Sequence, residues 1–264
     1  MAMHTDTPME TGPLREQLES LLHEHRTLID QLQHGQDHFR QLARSVWRVQ
    51  EDERRRIAHE LHDGVGHNIT ALIHLLTESL AALPPESTDV RALERLRHAK
   101  AIAESTLQDT RSLSRLLRPQ ILDDLGLEQA LRWLARTFTE THDLDVELSI
   151  EGDVQLLDGD RCTLVFRVAQ ESLANVARHA QAQRVDVELK LRDGLATLSV
   201  RDDGRGGDPA TALARSGASE SSGLGGIRDR VRLFGGRLHV DSAAGNGFCV
   251  TAHFPINDPE RRTP

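Results

Sequence analysis

The feature that most limits what this chain can become is an apolar seam near its start. Leu14, Leu18, Leu21, His25, Leu28, Leu32, Gly35, Phe39, Leu42, Val46 and Val49 follow one another at alternating spacings of four and three. That is the repeat of a coiled coil, weakened at His25 and Gly35. No proline interrupts the passage into a second stripe, Ile57, Leu61, Val65, Ile69, Leu72, Leu76 and Leu80, which reaches Leu83 before Pro84 and Pro85 stop the helix. Ser87 or Thr88 can cap a further helix, striped by Val90, Leu93, Leu96, Ala99, Ala103, Leu107, Leu113 and Leu117 and ended by Pro119. A hairpin with one stripe per helix buries both poorly by itself, whereas two copies make a four-helix bundle, so a homodimer is expected.

Beyond Pro119 the pattern changes. Helices are expected near Leu127–Thr141, Asp160–His179 and Ile227–Phe234, with strand-like runs at Val146–Ile150, Val185–Leu191, Ala196–Arg201, Arg237–Asp241 and Phe248–Phe254. The fold class is therefore mixed, an all-α dimerisation hairpin followed by an α/β sandwich. The divisions are a polar tail over 1–13, a coiled-coil helix over 14–50, the hairpin over 51–119, the sandwich over 120–257 and a tail over 258–264. Asp208–Ser222, rich in Ala, Ser and Gly and lying between two glycine motifs, is expected to form a mobile lid.

Composition narrows the function. With 32 basic and 41 acidic side chains, the net charge of -9 opposes general attraction to a polyanion, so direct nucleic-acid binding is not expected. No run approaches a bilayer span and the start lacks an apolar signal core, which predicts a cytoplasmic protein without a membrane span. Cys162 and Cys249, far apart in apolar runs, read as buried small hydrophobes.

Several residues suggest chemistry. His62 lies one position off the apolar stripe, on the solvent side, with small Ala58 and Gly66 one turn away on either side. Gly64 and Gly66 each cost a helix about 1 kcal/mol relative to Ala, and steric access to the imidazole gives them a reason. Asp63 can orient the ring and accept its proton during nucleophilic attack, although taken alone a solvated His–Asp pair is the safer reading in a chain with 14 histidines. Further on, Glu171, Asn175 and Arg178 follow at spacings of four and three, placing oxygen ligands for a hard cation and a positive charge on one helix face. Asp202 ends a strand before Gly204 and Gly206, where it can accept from an exocyclic amine. Gly223, Leu224, Gly225 and Gly226 open a helix whose free N–H groups suit phosphate.

Taken together these motifs resemble two-component sensor histidine kinases of the subfamily with the ELHD phosphoacceptor box, whose partners are LuxR-like response regulators. ERRRIAHELHDGVGH is similar to the phosphoacceptor box, LLRPQILDDLGLEQAL to the inter-domain junction, VAQESLANVARHA to the N box, and RDDGRGG and GLGGIRDRV to the two glycine boxes. The order and spacing agree over roughly 51–255. The resemblance implies a Bergerat-type ATPase domain using ATP and Mg²⁺. His62 would be the phosphoacceptor, Asp63 its base, and His67 the group that aligns water for regulator dephosphorylation. Asn175 and Glu171 would bind Mg²⁺, Arg178 or His179 would face the phosphates, and Asp202 the adenine. A receiver domain of the LuxR-like kind is the implied partner. Ser221 stands where the family has a glycine, and Phe248 departs from a Gly-Gly-Thr-like ending, which leaves a catalytically weak nucleotide-binding scaffold or a phosphatase-only regulator as the alternative. A chaperone- or serine-kinase-type ATPase would have no use for the bundle and its exposed His–Asp pair.

Overall fold

The computed structural model describes residues 12–82, 90–117, 120–208 and 223–257. The predicted helix-ending Pro84, Pro85 and Pro119, the cap at Ser87 or Thr88, and the body of the expected lid with Ser221 lie outside the described residues. The chain divides into two compact units, residues 1–47 and 48–264. The described residues of the first lie within helix α1 (Gly12–Glu60). Leu21, Leu28, Leu32, Phe39, Leu42 and Val46 of the expected seam all stand exposed there.

In the second unit the end of α1 passes into a π-helical turn, Leu61–Gly66, and on into α2 (His67–Ala82), which packs on α3 (Val90–Leu117). A π turn takes more residues per turn than an α-helix, so the sequence periodicity slips by about one position across it. The inward positions run Leu61, Gly66, Ile69, Ile73, Leu76 and Leu80: Gly66 takes the place of Val65 across the π turn, Ile69, Leu76 and Leu80 stand as the stripe expected, and Val65 and Leu72, assigned to the stripe from sequence, are exposed. On α3 the inward positions are Leu93, Leu96, Lys100, Ala103, Leu107, Thr110 and Ser114, and the expected Val90 and Ala99 face outward. Ala58 is buried, and the Ser114 hydroxyl donates to its carbonyl oxygen at 3.0 Å. Its small side chain thus serves close packing onto α3 rather than access to His62.

The C-terminal part holds a five-stranded sheet in the order β1-β2-β3-β5-β4, formed by β1 (Asp145–Glu151), β2 (Arg184–Arg192), β3 (Leu195–Asp202), β4 (Arg237–Ser242) and β5 (Phe248–Pro255). Only β1 and β2 run parallel; the other neighbours are antiparallel. Short α4 (Gln120–Asp124) leads into α5 (Gly126–His142), and α6 (Gly159–Asn175) and α7 (Leu224–Leu233) complete the helical layer on the sheet. The Asp158 carboxylate caps α6 by accepting the Arg161 N–H at 2.8 Å.

Strand alternation builds the core. Val185, Val187, Leu189 and Leu191 on β2 and Ala196, Leu198 and Val200 on β3 point inward against Leu164, Val165, Phe166 and Val168 of α6 and Phe254 of β5, all buried. Continuing that two-residue period places Asp202 on the inner face, opposite Val185, while Arg201 points to water.

Ion pairs tie the end of α1 to the sandwich. Arg48 donates to Asp160 at 2.7 Å, and Arg55 donates to Asp123. Between them Glu51 and Arg167, each only 5% exposed, are joined at 2.7 Å in a bidentate pair, with Arg167 also donating to Gln170 at 2.8 Å.

Candidate functional site

Two clusters hold the residues singled out from sequence. The first lies on the hairpin. His62, Asp63 and His67 are exposed, in or just after the π turn. An added Cβ at Gly64 would meet nothing within 4 Å, so the surface beside His62 is open. The glycines have a second use here, since their backbone freedom lets the helix widen. His62 and His67 share a cavity of about 190 Å³ with Leu61, Gly66, Thr70, Leu107, Thr110 and Arg111.

The second cluster lies at one end of the sheet. α6 ends at Asn175 and gives way to another π turn, Val176–Ala180, so Arg178 does not continue a regular α-helical face from Glu171 and Asn175. Glu171 is half-buried, and its charge favours the charged form of Arg230, whose guanidinium burial holds below its ordinary range. Arg178 and His179 are exposed. The Asn175 amide nitrogen and the Ser172 hydroxyl are buried without a hydrogen-bond partner among the described residues. Since the two ends of an amide are interchangeable, one end of Asn175 is left for a ligand to satisfy.

Asp202 is 6% exposed, and burial pushes its carboxyl above the ordinary 3.8. The main-chain N–H groups of Gly204, at 2.9 Å, and of Phe248 work against that shift by stabilising the charged form. The bond from Phe248 uses its backbone, so a threonine-to-phenylalanine change at that position leaves it intact. Gly223, at φ +94, begins α7, whose Ile227 N–H closes the first turn on the Gly223 carbonyl at 3.1 Å. The N–H groups of Leu224, Gly225 and Gly226 precede that first closing bond and can meet an anion. An unpaired amide, a buried carboxylate and a glycine-opened helix fit a nucleotide with its metal.

Other residues build the site without a signal of their own. Asp203 accepts from the N–H groups of Gln183 and Arg184 at 2.9 and 3.0 Å, which hold its carboxyl below the ordinary range. The Arg205 N–H donates to the Ala180 carbonyl at 2.9 Å, joining the loop after β3 to the second π turn. Gly247, at φ +72, lies so close that an added Cβ would be 1.9 Å from the Asp202 carbonyl oxygen. The sequence GNG between two strands marked this turn, but its contact with Asp202 depends on the strand order.

Comparison with known proteins decides the family. The histidine kinase model matches residues 53–122, and the model for histidine kinase-, DNA gyrase B- and HSP90-like ATPases matches 160–258. Residues 53–122 belong to the histidine kinase family and residues 160–258 to that ATPase family. Among curated relatives, the oxygen sensor histidine kinase NreB of Staphylococcus carnosus is 33% identical over 83% of the chain and 61% of its own length. The sensor histidine kinase MctS of Rhizobium johnstonii is 34% identical over 84% of the chain and 47% of its own length. The chain thus spans about half the length of these relatives. Among solved structures, the histidine kinase domain of a blue-light activated histidine kinase from Erythrobacter litoralis is 19% identical, with a TM-score of 0.45 over 72% of this chain and 94% of that one. No helix among the described residues is long and apolar enough to cross a membrane.

Proposed function

We propose that this chain is the kinase core of a two-component system, binding ATP at the α6–Asp202–α7 cluster and transferring its γ-phosphoryl group to His62. The observation that supports this reading best is that one chain joins an exposed His–Asp pair on a helical hairpin to a glycine-built nucleotide cluster. A ring nitrogen of His62 attacks phosphorus, the N–P bond forms as the bond to the β-phosphate oxygen breaks, and ADP leaves. Asp63, next in sequence, accepts the proton lost from the imidazole. Asp202 receives the exocyclic amine of adenine, and the first N–H groups of α7 meet the phosphates. Asn175 and Glu171 would hold Mg²⁺, which when bound neutralises phosphate charge. Arg178 and His179, exposed beside them, supply positive charge or donors to the same group.

The phosphoryl group then passes to an aspartate of a response-regulator receiver domain, of the LuxR-like class by resemblance, and the chain works where ATP is available, in the cytoplasm. Dimerisation through the hairpin is supported by the exposed Val65, Leu72, Leu75 and Ile102. His67, lining the same cavity as His62, can align a water against a docked aspartyl phosphate.

Radiolabelled ATP is the test. Wild type acquires acid-labile label, while His62→Gln acquires none and binds nucleotide normally; persistent label on the variant refutes the assignment. His67→Ala keeps autophosphorylation but lengthens the lifetime of the phosphorylated regulator, and an unchanged lifetime removes His67 from that step.

A further inference from the structure

We propose that Arg111, on the opposite helix of the hairpin, is the phosphoryl-binding residue of the His62 cavity, contacting the group as it forms on the imidazole; this rests on the kinase reading above. The eight residues lining the cavity include no carboxylate, and Arg111 is their only permanent cation. α3 presents Leu107, Thr110 and Arg111 to it, while the π turn supplies Leu61, His62 and Gly66 and the start of α2 supplies His67 and Thr70.

The other polar walls cannot take Arg111's place. The Thr70 hydroxyl donates to the Gly66 carbonyl at 2.8 Å, and the Thr110 hydroxyl donates to the Thr106 carbonyl at 2.8 Å. Each hydroxyl has one proton, so both retain only lone pairs toward the cavity, which repel phosphoryl oxygens. His62 is the nucleophile, and a His67 imidazole offers a single N–H when neutral. The guanidinium alone combines several N–H donors with a permanent charge, and its planar fork matches two phosphoryl oxygens.

Among the described residues no carboxylate forms an ion pair with Arg111, unlike Arg48, Arg55 and Arg167, which are held by Asp160, Asp123 and Glu51. It can therefore meet an incoming anion without first breaking a bridge. The cavity has room for a phosphoryl group with water, its volume equalling roughly half a dozen waters at about 30 Å³ each. Leu61 and Leu107 exclude solvent from one side and strengthen the contact.

In the transfer, the N–P bond to His62 forms as the bond to ADP breaks, with charge spread over the equatorial oxygens that Arg111 contacts. Arg111 gives up no proton. It stabilises the charge of the transferring group and of the phosphohistidine that results.

The full chain with Arg111→Gln, Arg111→Lys and wild type is compared for labelling rate on His62, nucleotide affinity and oligomeric state. Arg111→Gln labels slower by on the order of 10²-fold, as expected for loss of one transition-state donor group, with nucleotide affinity and assembly unchanged. Arg111→Lys recovers part of the rate because it restores charge without the fork. Rapid labelling of Arg111→Gln at the wild-type rate overturns the role, as does a lysine variant no faster than the glutamine variant. Failure of wild type to label His62 at all would instead overturn the kinase reading and this role with it.

Discussion

The sandwich and the hairpin solve the problem of burial differently. In the sandwich, Leu164, Val185, Leu189, Ala196, Leu198 and Phe254 are shut off from water by their own chain. In the hairpin, α2 buries no residue fully, and Leu72 and Leu75 are 48% and 61% exposed. A five-stranded sheet covered by three helices is a complete two-layer unit, whereas two helices expose whatever face is not turned to the other. The half that matches the ATPase family closes its own core, whereas the half that carries His62 leaves an apolar face that a second copy would cover; on the reading proposed above, this links histidine phosphorylation to assembly.

The largest expected effect tests that contrast directly. Leu72→Glu places a charge on the exposed apolar face in both copies, and each loses about 1.5–3 kcal/mol of burial. The dimer dissociation constant rises on the order of 10²- to 10⁴-fold, measurable by sedimentation, while nucleotide affinity is unchanged. A dimer as tight as wild type shows that this face is not the interface.

Next is the link between the halves. Glu51→Ala leaves Arg167 buried without its carboxylate and should cost about 3–5 kcal/mol in denaturant unfolding. Replacing both, Glu51→Leu with Arg167→Met, should restore most of that stability, because no uncompensated charge remains. If the single and double variants are equally unstable, packing rather than charge pairing accounts for the loss.

The smallest effect is confined to the sandwich. Gly247→Ala forces a side chain to φ +72, a cost of about 1–2 kcal/mol before its clash with the Asp202 carbonyl is relieved. Nucleotide affinity should fall with stability, because the turn that moves also supplies the Phe248 N–H to Asp202. Dimerisation should be untouched, and a loss of dimer would show that the two halves are not separable.

Much was legible in the sequence because its signals are local. Period-two runs located all five strands to within about a residue or two, and Asp202 was singled out at the end of one of them. The α6 motif, the glycines opening α7 and the exposed His62 were likewise readable from spacing and residue type. Within the chemical motifs the prediction slipped at π turns, while on α3, which has none, Val90 and Ala99 also face outward against expectation. Both Leu61–Gly66 and Val176–Ala180 lie within motifs assigned to chemistry, and a rule of 3.6 residues per turn runs out of phase there. That is why Gly66 rather than Val65 turns inward, and why Arg178 leaves the face of Glu171 and Asn175.

What the sequence by itself determined are the elements, their amphipathic faces and the chemical types offered at each motif, since these depend on neighbours within a few positions. Only the tertiary structure decided that Glu51 meets Arg167 across 116 positions, that Gly247 closes on Asp202, and that Arg111 shares a cavity with His62. The physical reason is that such meetings depend on which elements pack together and at what phase. An extra residue in a helical turn shifts the phase of the positions around it, and no local preference records which of them will meet a neighbour.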